Sequence, residues 1–275
     1  MILACSVVLF HPNQEVIENV KSLSPLFDAV FAIDNSDDGK GASKDAFAQY
    51  PNIDFISFGD NTGIAHALNV ALEKSHKIDA SFLCTLDQDS IYPVKDHEKI
   101  KRVLINTDQN NDAIIGLSTN PANQVAGIQT VKSIITSGNF INVPLVYKKG
   151  ILFDDDLFID YVDFDFDHKI ALAGLQIKQI MDICLQHKIG CPINKTILGK
   201  HLTSMNHTPE RDYYRYRNLY FLYKTDRLFF RPFMREERLE FFRMLLLEKN
   251  KMKKTKMTLR GICDGKRGRL GKLKK

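Results

Sequence analysis

The stretch Asn52-Ile-Asp-Phe-Ile-Ser-Phe-Gly-Asp-Asn-Thr-Gly63-Ile-Ala-His-Ala-Leu-Asn-Val-Ala-Leu72 sets the fold class. Its opening, 52–58, is a run of strand length, and Gly59-Asp60-Asn61-Thr62-Gly63 is a turn. Ile64, Ala67, Leu68, Ala71 and Leu72 then recur at i, i+3, i+4, i+7 and i+8, which marks one apolar helix face. The same alternation extends to either side. Residues 2–10, 28–34, 80–86 and 112–118 read as further strands, with helical spacings between them. Strands and helices in alternation predict a mostly parallel sheet covered on both faces, with ligands at the carboxyl ends of the strands. From about 127 the pattern changes to short strand-like runs at 127–136 and 141–147, then a loop rich in Asp and Phe. A helix follows from about 163 to 173, a short strand-like segment at 196–199, and helices packed with Tyr, Phe and Leu over 211–251. One α/β domain over 1–223 with a helical, basic extension over 224–275 is the expected organisation.

Composition narrows the function classes. With 44% hydrophobic residues over 275, the chain can bury a sizeable core, which excludes disorder and collagen-like repeats. No apolar run is long enough for a spanning helix, and the apolar start lacks the basic leader and cleavage site of a signal peptide. Five cysteines (Cys5, Cys84, Cys184, Cys191, Cys263), an odd number without C-x-x-C spacing, argue against a disulfide framework and fit a reducing cytoplasm. Charge is divided unevenly. Residues 1–223 hold 20 Lys/Arg against 27 Asp/Glu, whereas 224–275 hold 18 against 6. An acidic body makes nucleic acid an unsuitable partner, and attraction to an anionic membrane surface falls to the tail. The tail also allows a reading of another class, a non-catalytic adaptor on membranes or polyanions.

The residues just after the strands hold the candidate chemistry. Asp34 opens Asp34-Asn35-Ser36-Asp37-Asp38-Gly39, where a carboxylate can accept from a base imide or a ribose hydroxyl; taken alone, the segment reads first as a turn. Asn61-Thr62-Gly63 opens a helix, whose free N–H groups suit a phosphate or a sugar hydroxyl, though a merely capped helix has the same sequence. Leu86-Asp87-Gln88-Asp89-Ser90 places two carboxylates one residue apart after an apolar strand, an arrangement that favours a bridging cation. Hard oxygen ligands of this kind suit Mg²⁺ or Mn²⁺ shared with substrate phosphates. Asp163 stands at the expected helix start among large apolar residues. It reads as an N-cap or as a carboxylate raised toward general-base use. His201 can complete a metal shell as a neutral imidazole.

In this order, the motifs resemble glycosyltransferase family 2, and within it the bacterial rhamnosyltransferases. The resemblance rests on Asp34-Asn35-Ser36, the run 61–69, the run 86–90, Ser137-Gly138-Asn139, the run 158–163, His201, the run 211–218 and Arg260-Gly261-Ile262-Cys263-Asp264-Gly265, and so spans nearly the whole chain. It implies the A-type (GT-A) fold, a Rossmann-like nucleotide-diphospho-sugar transferase, and an inverting, metal-dependent transfer of a sugar. The donor expected is dTDP-rhamnose, with UDP-galactofuranose or UDP-glucose as alternatives. The expected acceptor is a lipid-linked surface polysaccharide, reached by an enzyme peripheral to the inner face of the cell membrane.

The resemblance also implies roles. Asp34 contacts the base, Asp87 the ribose or metal-bound water, and Asn61, Gly63 and Asn69 complete the nucleotide-sugar set. Asp89 with His201 holds the divalent cation. Asp163 deprotonates the acceptor hydroxyl, with Ser137, Gly138, Asp165 and Arg217 on the acceptor side or behind it. Many relatives have two adjacent acidic residues where this chain has Val162-Asp163; Asp165 also matches an acidic position.

Overall fold

β1 (Leu3–Leu9) is buried along almost its whole length, as an unalternating apolar run requires of a central parallel strand. The computed structural model describes residues 1–37, 39, 41–120, 126–187, 192–197 and 199–274. It divides into two units: Met1–Asp154 with Asp163–His187, and Asp155–Val162 with Lys188–Lys275.

In the first unit, Asn13 caps α1 (Gln14–Leu23) by accepting from Val16 N at 2.9 Å. Next come β2 (Ala29–Asp34), β3 (Ile53–Ser57), α2 (Ile64–Lys77), β4 (Phe82–Asp87) and the two-residue β5 (Ser90–Ile91). α3 (His97–Ile105), β6 (Asp112–Ser118), β7 (Ile128–Val131), β8 (Asn139–Asn142) and α4 (Val143–Lys148) follow. α5 (Val162–Leu172) leads to β9 (Gln176–Cys184) and to β10 (Gln186–His187), which pairs with β5. The eight-stranded sheet runs β3-β2-β1-β4-β8-β6-β9-β7. β1 lies parallel to both β2 and β4, and β2 to β3; β8 enters antiparallel between β4 and β6. The expected mostly parallel α/β sheet is present. Its parallel half aligns the ends of β1, β2 and β4, so the loops at 10–11, 34–37 and 87–90 emerge along one edge.

Two local readings need correction. The run 141–147 is not one strand: Asn142 accepts from Leu145 N at 3.2 Å with a proline in the first turn, and that cap starts α4. β9 has no counterpart among the expected strands. Its buried residues Ile177, Ile180 and Ile183 fall three apart, a spacing that does not show the period of two expected of a half-buried strand.

The second unit holds the hairpin β11 (Ile193–Ile197) and β12 (Lys200–Ser204), then α6 (Pro209–Thr225), α7 (Arg227–Leu247) and α8 (Lys251–Arg267). Residue 223 lies inside α6, and the break comes at Asp226, which caps α7 by accepting from Leu228 and Phe229 N at 2.9 Å. The basic tail is not a loose appendage. α8 packs on α6 so closely that a Cβ on Gly261 would collide with the Tyr213 carbonyl, and one on Gly265 with that of Arg217. Charges here are buried in pairs: Arg215 forks onto Glu237 at 2.7 Å through both oxygens, and Lys254 meets Glu248.

Among the described residues, Cys5, Cys84, Cys184 and Cys263 are free, while Cys191 lies outside them. No helix among them is long and apolar enough to cross a membrane.

Candidate active site

Asp34 ends β2 with its side chain buried, its Oδ1 accepting from Ser36 Oγ at 2.6 Å and its Oδ2 from Ser57 Oγ at 3.4 Å. The backbone of Gly41 passes so near that any side chain there would strike this carboxylate. Ser36 also accepts from His11 N at 2.7 Å, which ties the loop after β1 to that after β2. Asn35 accepts from Thr62 N at 2.8 Å, and Asn61 from Gly63 N at 3.0 Å. Gly63, at φ 93°, then opens α2 with no side chain capping it. These bonds gather Asp34, Asn61 and Gly63 on one edge and leave a helix N-terminus open to an anion or hydroxyl. Asn69 lies further along α2. Its amide exchanges two hydrogen bonds with the Phe153 backbone, at 2.9 and 3.0 Å, and so pins the chain after α4.

β4 ends at Asp87, half-buried, and Asp89 beyond it is exposed. Gln88 between them bonds both ways with the Phe10 backbone, at 2.8 and 3.1 Å, fastening this loop to the end of β1. Asp87 N donates to Ser137 Oγ at 3.0 Å, Ser137 Oγ lies 2.8 Å from Ser90 Oγ, and Gly138 N donates to the Thr85 carbonyl at 2.7 Å. Ser137 and Gly138 therefore stand behind the Asp87-x-Asp89 loop and fix its course. The donor set suits a divalent cation: two carboxylates on one short loop, a type that Mg²⁺ or Mn²⁺ binds while taking its other oxygens from water and substrate phosphate. No group of three or more His, Cys, Asp or Glu side chains able to hold a metal occurs among the described residues. His201 belongs to the second unit. It is exposed on β12, with Nδ1 2.8 Å from Thr196 Oγ1 on the facing strand.

The acidic run on α5 divides by burial. Asp163, half-buried, lines a crevice with Thr136, Asn139, Phe153, Phe166 and Asp167. Asp165 is buried and paired with Lys169 at 2.7 Å; burial pushes its pKa up while the ammonium partly offsets the shift. Asp167, one turn from Asp163, is buried and accepts from Ile134 N at 2.7 Å. Burial holds its carboxyl well above the usual range, the Ile134 N–H opposes the shift, and the charge of Asp163 adds to it. The sequence reading assigned Asp167 no role. Its i, i+4 spacing from Asp163 was the available signal, but burial is not visible in sequence.

Arg217 was expected on the acceptor side or in the shell behind it. Its side chain is fully buried in the second unit, with the guanidinium 4.8 Å from the centre of the Tyr214 ring. It donates to the carbonyls of Asp156 at 3.3 Å, Leu157 at 2.8 Å and Gly271. Asn218 donates to the carbonyls of Leu157, Ile159 and Asp160 at 2.7–2.9 Å. The segment they clamp has Phe158, Asp160 and Tyr161 at φ 63–66°, a left-handed backbone that non-glycine residues hold only under outside constraint.

No protein-family model matches the chain. It is 28% identical to the dTDP-rhamnosyl transferase RfbF of Shigella flexneri, over 83% of each chain. The fold resembles that of S. aureus TarS 1-349, with a TM-score of 0.51 and 15% identity, over 96% of this chain and 71% of that one. The chain is a glycosyltransferase of the GT-A fold. TarS 1-349 has also been crystallised with UDP-GlcNAc, and in that form the TM-score is 0.50, at 15% identity over 96% of this chain and 72% of TarS. GalNAc-T7 with UDP, GalNAc and Mn²⁺ aligns at a TM-score of 0.50 and 11% identity, over 68% of this glycosyltransferase and 44% of that protein.

Proposed function

We propose that this enzyme transfers rhamnose from dTDP-rhamnose, with inversion, to a hydroxyl of a lipid-linked surface saccharide at the cytoplasmic face of the membrane. One observation supports this reading above the others. A single loop, 134–138, is held by Asp167 of α5 at one end and by Thr85, Asp87 and Ser90 at the other, so the Asp163 crevice and the Asp87-x-Asp89 loop are built from shared parts.

Asp34 accepts the imide N–H of the base, while Asp87 orients the ribose. The open N-terminus of α2, behind Asn61 and Gly63, faces the sugar or diphosphate oxygens. Asp87 and Asp89 would hold a divalent cation, which when bound neutralises charge on the departing diphosphate. Asp163 takes the proton of the acceptor hydroxyl as that oxygen bonds to the anomeric carbon. The bond from that carbon to the diphosphate oxygen breaks, and its electron pair leaves with the nucleotide. A single displacement inverts the anomeric centre. Asp165, spent on Lys169, stands behind Asp163 rather than in its place. His201 is kept as the proposed neutral-imidazole ligand that would complete the shell of that cation.

The relative's name favours rhamnose, and the donor is the part to test first. Nucleotide diphosphate release with dTDP-rhamnose, UDP-galactofuranose and UDP-glucose, each with a saccharide acceptor, separates the alternatives. The highest kcat/KM is expected with dTDP-rhamnose; a higher value with either UDP-sugar overturns the donor assignment.

A further inference from the structure

α7 is apolar on two opposite faces. Phe230, Met234, Met244 and Leu247 are buried, as packing in the second unit requires. Leu228, Leu239, Phe242 and Leu246 point the other way and are exposed by 85, 49, 63 and 60%. With Arg231 and Arg235, these positions recur every three or four residues from 228 to 246, so they form one continuous stripe. Arg231, Arg235 and Arg238, on or beside it, are exposed and make no ion pair or hydrogen bond among the described residues. The carboxylates of α7 do not offset them. Glu237 and Glu240 are buried on the inner side, where Arg215 and Ser204 engage them, and Glu236 is the one exposed acid of the helix.

We propose that this outer face of α7 lies in the interface of an anionic lipid bilayer, with the leucines and Phe242 among the acyl chains and the arginines at the headgroup phosphates. A lipid surface matches both halves of the stripe: apolar side chains with guanidinium groups, the composition of a helix lying in the membrane plane. A second copy of the chain would set arginine against arginine and suits the face poorly. A polyanion without an apolar phase would leave Phe242 and the leucines in water. This location narrows the sequence-based expectation, which gave membrane attraction to the whole basic extension over 224–275. The lysine-rich tail from 249 onward contains α8, whose Lys254, Thr258, Gly261 and Gly265 are buried, so part of the tail is a packing element of the unit. The proposal goes beyond the choice of sugar and does not depend on it.

Co-sedimentation with vesicles of phosphatidylcholine, alone or with about a third phosphatidylglycerol, tests it. The full chain should bind the anionic vesicles and release them as salt is raised. Arg231→Gln with Arg235→Gln and Arg238→Gln should lower the partition on the order of a hundredfold, from roughly fivefold per charge. Leu239→Ser with Phe242→Ser and Leu246→Ser should lower binding at least as much, and Phe242→Ser alone serves if the triple variant misfolds. Release of nucleotide diphosphate with a short soluble acceptor should be unchanged in all of them. Equal binding by wild type and variants overturns the proposal, as does a wild-type dimer in light scattering that the serine variants dissolve. Wild type that binds vesicles but transfers no sugar would overturn the transferase reading and leave this one standing.

Discussion

The strand-end loops of the first unit and the helices of the second are both rich in charge, yet they use it in opposite ways. Asp87, Asp89 and Asp163 stay half-buried or exposed, and the Asp87-x-Asp89 loop is fixed by neutral partners such as Ser137 and Gln88. Arg215, Arg217, Glu237, Glu248 and Lys254 are spent on packing: each meets an opposite charge or a set of carbonyls. These first-unit carboxylates keep part of their surface exposed, whereas the second unit sinks its charges into buried pairs and carbonyl clamps.

That contrast predicts different failures. Arg217→Ala removes a fully buried side chain and its donations to three carbonyls beside a left-handed loop, and should cost about 3–5 kcal/mol of stability. Urea unfolding measures it; an unchanged midpoint would mean that the clamp is not structural. Asp89→Ala should leave that midpoint in place and lower transfer on the order of 10²–10³-fold, with chelator having a similar effect on wild type. An active Asp89→Ala enzyme in chelator would remove the cation from the account.

A smaller effect concerns Asp212 in the second unit, which burial pushes up to about 7, opposed by Arg215 and Lys254. The folded state keeps a proton that the unfolded chain releases near pH 4, so this group costs stability as pH rises through that window and the cost levels off above about 7. The sign is opposite to that of a salt-bridged carboxylate with a lowered pKa. Asp212→Asn should therefore gain in melting temperature relative to wild type between pH 4 and 7. A constant difference across that range would show that Asp212 titrates normally.

How much of this was legible in the sequence follows the same contrast. Periodicity gave the parallel strands and α2, because apolar runs and an i, i+3, i+4 face are imposed by local geometry. The strand-end carboxylates could be located because parallel sheets present their loops at one edge. Arg217 entered the expected set through the resemblance, which the run 211–218 helps to carry. What separates Arg217 from Asp163 is burial by distant segments, Gly271 among them, and no local pattern encodes that. β9 was missed because its buried isoleucines, at 177, 180 and 183, fall three apart rather than two.

The central claim is that Asp163, and not its buried neighbour Asp165, takes the acceptor proton. Turnover and donor affinity of Asp163→Asn and Asp165→Asn, measured side by side, test it most directly. The account predicts that Asp163→Asn loses about 10²–10⁴-fold in kcat while donor Kd holds, and that Asp165→Asn stays within about tenfold of wild type. The reverse pattern, or an Asp163→Asn enzyme with wild-type turnover, would contradict it.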